Sequence, residues 1–112
     1  MRVLTAALAA LVLMIGASPA GAEKYGFTLY SDTGFANPIV SHELTECVDF
    51  INPVPGRVVG SYRNYPPPGC QVKLLTTGGT LELCQGAREV PAAYRTAYFW
   101  QIDFRPTPFC TQ

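Results

Sequence analysis

The chain has 112 residues, eight Lys and Arg against eight Asp and Glu, and 48% hydrophobic residues. No basic cluster occurs, so nucleic acid has no electrostatic handle, and no run of like charge marks an interaction tail. Ten Gly, ten Pro and four Cys in so short a chain indicate one turn-rich domain.

Residues 1–22 read as a secretory signal peptide. Arg2 supplies the positive start, residues 3–15 are apolar apart from Thr5, and Ala20-Gly21-Ala22 has the small-x-small pattern of a cleavage site. The apolar run is about 13 residues, short of the roughly 20 needed to cross a bilayer. No Cys follows the cleavage site, so no lipoprotein anchor is expected, and no later segment is apolar enough to span a membrane. The expected mature unit, 23–112, loses Arg2, which leaves seven basic residues against eight acidic ones, a net charge of −1.

Strand patterns follow in order. Residues 26–31 form a first strand with Phe27 and Leu29 on one face, and 39–44 provide its return. Residues 47–51 make a short strand, 52–56 a turn-rich linker, and 57–65 another strand stopped by Pro66-Pro67-Pro68-Gly69. Residues 70–76 and 80–85 flank Gly78-Gly79, a hairpin pattern. The last strand alternates Tyr94, Thr96, Tyr98, Trp100, Ile102 and Phe104 on one face with Arg95, Ala97, Gln101, Asp103 and Arg105 on the other, Phe99 being the exception. Many short strands and no capped helix predict an all-β sandwich or barrel.

Cys47, Cys70, Cys84 and Cys110 are an even set in a small exported domain, which reads as two disulfides. Their spacings of 23, 14 and 26, without a CxxC, do not match a metal site. Catalytic chemistry is equally thin. The single imidazole, His42, reads as an exposed strand residue. Ser31 or Ser61 with Asp32 or Asp49 could be drawn as a triad, but no nucleophile elbow supports it. Glu43 with Glu46, or Asp32 with Asp49, is explained by solvated faces without invoking a glycosidase pair. The expected protein is no enzyme and has no cofactor.

The stretch from Phe27 to Asn37 resembles the first hairpin of a βγ-crystallin Greek key. The family motif is an aromatic, four residues, an aromatic, one residue, then Gly, matched here by Tyr30, Phe35 and Asn37. Asn in place of Gly still tolerates a left-handed backbone, so the positive φ is expected at Asn37. Residues 58–63 and 68–75 resemble the junction at which a Ser-bearing strand leads to a Gly-Cys turn. The likeness covers roughly 26–76; the second key lacks the aromatic turn. It implies two Greek keys packed as a disulfide-stabilised β-sandwich in a small secreted microbial protein, of which fungal examples carry a similar Pro-Gly-Cys strand. The calcium-binding stretch of microbial members falls on residues 56–61, where Gly56 and Arg57 replace the oxygen donors. No calcium is expected, and Ser61 is left a structural role. The resemblance also implies pairings 70–84 and 47–110. Against this, a regular hairpin on Gly78-Gly79 pairs Val72 with Gln85 and puts Cys70 and Cys84 on opposite faces, which only a bulge would repair.

Recognition would then sit on loops of a rigid scaffold. The foremost candidate is Asn64, Tyr65, Pro66, Pro67 and Pro68, a stiff polyproline-like turn with an aromatic at its entry. Residues 52–57 are a second, and an exposed Phe109 would be an anchor. The expected role is a non-catalytic secreted interaction module, effector-like or toxin-like, meeting an extracellular or cell-surface protein or glycan. The alternatives are an inhibitor of an extracellular hydrolase, such as a protease, and a structural cell-wall protein.

Overall fold

The computed structural model describes residues 24–107 and Cys110. The expected signal peptide and Phe109 lie outside the described residues. Eight strands are present among these residues: β1 Tyr25–Tyr30, β2 Pro38–Leu44, β3 Phe50–Pro53, β4 Ser61–Tyr65, β5 Cys70–Thr76, β6 Gly79–Glu82, β7 Gly86–Glu89 and β8 Ala97–Phe104. They form two four-stranded antiparallel sheets, ordered β2-β1-β4-β7 and β3-β8-β5-β6. Thus β3 leaves the sheet of β1, β2 and β4, while β7 leaves that of β5, β6 and β8.

One core lies between the sheets. Phe27 and Leu29 enter it from β1, Tyr62 from β4, Val72 and Leu74 from β5, and Trp100 and Ile102 from β8. The rings of Phe27 and Trp100 meet edge to face across the layers, 5.0 Å between centroids. Each fully buried aliphatic side chain contributes about 1.5–3 kcal/mol.

Several elements depart from the sequence reading. The strand expected at 47–51 begins at Phe50 and runs through Pro53. It is an edge strand paired only with β8, where a residue without an N–H is tolerated. The strand expected from 57 begins at Ser61, because Pro55–Arg57 winds into a 3-10 turn and Val58 makes only a single bridge to Thr96. The hairpin turns on Thr77-Gly78 rather than Gly78-Gly79, since Thr76 pairs with Gly79. The Thr76 hydroxyl holds that turn, donating to Gly79 O at 2.7 Å and accepting from Gly78 N at 3.0 Å. Strand β7 carries no aromatic or β-branched residue and hence no strand pattern; pairing with β4 holds it in place.

The register of β8 against β5 slips between Ala97 and Phe99. Tyr98 is the extra residue of this bulge, so the alternation breaks there. Ala97 is buried where Tyr98 was expected, and Tyr98 and Phe104 are exposed.

The disulfides are Cys47–Cys70 and Cys84–Cys110. This overturns the 70–84 and 47–110 pairing. Lys73 faces Glu82 and Leu74 faces Leu81, and the same ladder continues to Val72 O, which accepts Leu83 N at 3.0 Å. Cys84 is therefore set opposite Gln71, one residue out of step with Cys70, and no bulge intervenes. Cys70 instead turns to the segment before β3, and Cys84 to the chain beyond β8.

Candidate functional site

The turn between β1 and β2 is built around one carboxylate. Asp32 accepts the N–H of Gly34 at 3.0 Å, of Ala36 at 3.1 Å and of Asn37 at 2.8 Å. The Asn37 N–H, joined by those of Ala36 and Gly34, holds its carboxyl below the usual value of 3.8, against an opposing desolvation. Curling these donors onto one acceptor places the left-handed residue at Phe35, with φ 61°, and not at Asn37. The Phe35 ring packs edge to face on Tyr30 at 5.7 Å and lies under the Arg63 guanidinium at 5.0 Å. Ser61 Oγ donates to Asp32 O at 2.6 Å and accepts from Phe35 N at 3.3 Å. Ser61 and Asp32 are thus spent on holding the turn.

Residues 56 and 57 are both left-handed, with φ 72° and 61°. The Arg57 guanidinium stands 5.2 Å over the Tyr98 ring, which accounts for two exposed side chains at this tip. Among the described residues no three His, Cys, Asp or Glu side chains gather around a common point.

His42 is not the exposed strand residue that the sequence suggested. It is half-buried, with ring centroids 5.9 Å from Phe27, 5.3 Å from Trp100 and 5.8 Å from Phe50. Its parity on β2 matches that of Phe27 opposite it, so it closes the open end of the core. Neither Ser31 nor Ser61 is bonded to it: Ser61 is engaged at Asp32. Glu43 pairs instead with Lys24 at 3.5 Å.

The polyproline segment walls a cavity of about 390 Å³. Asn64 ends the inner face of β4, buried; Pro67 is buried, Pro66 half-buried, and Tyr65 and Pro68 exposed. Cys70 N donates to Pro67 O at 3.1 Å, and Arg105 N to Gly69 O at 2.8 Å, so the segment is fixed at its far end. The opposite wall is Leu83, Gln85 and the Cys84–Cys110 disulfide, with Tyr25 and Gln71 completing it. Tyr65 points away from the cavity, so four of the five candidate residues line it and one does not. Tyr25, Gln71, Leu83 and Gln85 were not legible as site residues; the one trace was Gln71, an amide inside an otherwise apolar strand start.

Amides bind this wall together. Asn64 Nδ2 donates to Leu83 O at 3.5 Å and Cys84 O at 3.2 Å, and Gln71 Nε2 donates to Leu83 O at 3.2 Å. Tyr62 Oη accepts Cys84 N at 3.0 Å. Burial pushes the Tyr62 hydroxyl above its usual value of 10.0, partly offset by the Cys84 N–H and the charge of Arg88. Asn64 Oδ1 is buried and accepts no hydrogen bond. No Asp, Glu, Lys, Arg or His lines the cavity.

Among the described residues no helix is long and apolar enough to cross a membrane. Compared with known proteins, the chain matches no family model, no curated protein and no solved structure.

Proposed function

We propose that the protein is a secreted, non-catalytic interaction module whose cavity behind residues 64–68 receives an uncharged group of an extracellular partner. Two disulfides suit an oxidising compartment. The crystallin-like Greek-key reading belongs to the same proposal. Its support is the exchange of β3 and β7 between the sheets and the Tyr30–Phe35 turn latched by Ser61.

The observation that carries the binding reading is the neutrality of the cavity. A charged group brought into a wall of prolines, Tyr25, Leu83 and a disulfide would lose its hydration without a counter-charge. An uncharged group with an apolar face and hydroxyl or amide donors loses little, and the exposed Gln85 and buried Asn64 Oδ1 offer it acceptors.

Titration of the disulfide-intact protein with neutral oligosaccharides and capped neutral peptides, followed by amide and side-chain NMR shifts, tests this. Saturable shifts confined to Tyr25, Asn64, Gln71 and Gln85 are expected. An unresponsive cavity across both panels, or turnover of any member, overturns the reading.

A further inference from the structure

We infer that the open edge carrying Phe50 is a second interaction surface, and that it takes an extended basic segment of a partner protein with two adjacent cationic side chains, one for each face of the edge, beside an apolar one. The inference is independent of the proline-walled cavity and shares no residue with it.

The surface starts from an imbalance along the chain. Residues 25–56 contain Asp32, Glu43, Glu46 and Asp49 and no Lys or Arg. Folding takes Asp32 into its turn and leaves the other three around β3. Large apolar side chains stand exposed there: Val48 at 53%, Phe50 at 43% and Ile51 at 50%. Such a patch with a polar rim is the usual form of a protein-binding surface.

Phe50 is the centre of it. Its ring rests on His42 and on Trp100, 5.8 and 5.4 Å between centroids, so it is held in place from beneath while its outer side is open. A hollow flanks it on each side. One, of about 250 Å³, is rimmed by Glu43 and Glu46. The other, of about 520 Å³, is rimmed by Asp49 and Asp103. No Lys or Arg lines either hollow.

The four acids are not equally engaged. Glu43 meets Lys24 at 3.5 Å and Asp103 meets Lys73 at 3.0 Å. Glu46 and Asp49, one for each hollow, form no ion pair among the described residues. The chemistry this selects is a cation reaching into each hollow, with its aliphatic stem along Phe50, Val48 or Ile51. Phe50 lies opposite Ile102 on the inner face of β3 and Ile51 opposite Gln101 on the outer face, so the two hollows open on opposite faces of the edge. Neighbouring cations of an extended segment reach one hollow each, and an apolar side chain two residues from the inward cation covers the Phe50 ring. Strand β3 pairs with β8 on one side alone, so its other edge offers main-chain groups to an extended segment.

The test uses the disulfide-intact protein and three synthetic hexapeptides in which two central leucines are flanked on each side by a pair of arginines, of glutamates or of serines. Calorimetry is expected to detect the arginine peptide alone. Its affinity should fall by about tenfold when Glu46→Gln and Asp49→Asn are combined, and fall again as salt rises from about 0.05 to 0.5 M. Both positions are exposed, so these variants keep the fold, which an unchanged thermal midpoint verifies. NMR shifts should concentrate at residues 42–52. Ile51→Ser should weaken the arginine peptide while leaving its salt dependence unchanged. Equal binding of all three peptides, no binding of the arginine peptide, or an affinity indifferent to the double variant overturns the inference. So does a concentration-dependent dimer seated on the same edge, which would make a second copy the occupant. None of these outcomes bears on the proline-walled cavity, whose probes are uncharged.

Discussion

The hydroxyl of Ser61 donates a 2.6 Å hydrogen bond to the main-chain carbonyl of Asp32, twenty-nine residues earlier in the chain. Ser61 is fully buried at the start of β4, and the same oxygen accepts the N–H of Phe35. One side chain therefore ties the β1–β2 turn to the neighbouring strand. Replacing Ser61→Ala leaves that carbonyl and that N–H short of a partner and is expected to cost about 1–3 kcal/mol. Urea unfolding should show a lower midpoint at an unchanged slope.

Acid should loosen the same turn. The folded-state pKa of Asp32 is depressed by the N–H groups of Asn37, Ala36 and Gly34. A depressed carboxyl contributes stability that is complete above its unfolded value, about 3.9, and lost as pH falls through the folded one. The Asp32→Asn variant is expected to have a shallower acid limb in its stability–pH curve. Carbon-13 titration of the wild-type protein should find the Asp32 carboxyl ionising below the usual aspartate value of 3.8.

Disulfide connectivity can be read by mass. Trypsin separates the four cysteines onto peptides 25–57, 64–73, 74–88 and 96–112, the last uncut at Arg105 because Pro106 follows. A non-reduced digest should contain 25–57 joined to 64–73 and 74–88 joined to 96–112. Removing the second bridge with Cys84→Ser and Cys110→Ser is expected to cost about 2–4 kcal/mol in thermal or urea unfolding.

Gly60 faces the same turn from the other side. A Cβ built there would lie 2.5 Å from the Asp32 carbonyl carbon and 2.7 Å from its oxygen. Neither is the movable end of a side chain. Gly60→Ala is expected to destabilise by about 1–3 kcal/mol through overpacking, measured as a lower thermal midpoint.

Periodicity made the inner strands readable. Phe27 and Leu29, and Val72 and Leu74, alternate in sequence and are buried in the fold. It failed where pairing or a single extra residue decides. Strand β7 has no apolar face, so only its bonds to β4 make it a strand. The bulge at Tyr98 shifts the alternation at the start of β8; Phe99, out of step with the pattern, was its one local trace. The parity of Cys70 and Cys84 was legible, and it opposed the pairing that family likeness implied; the ladder settled the matter in favour of parity. The proline segment was legible as a stiff loop, but its cavity draws on Tyr25, Gln71 and Gln85, which only the tertiary arrangement gathers.

The exchange of β3 and β7 has a further effect. Each half of the polypeptide lends one strand to the other's layer, so a fragment ending before Pro66 keeps neither sheet whole. Because Cys47–Cys70 spans the proline segment, a cut within it leaves two pieces joined by that bridge; once the bridge is reduced, neither should be recoverable as an ordered half.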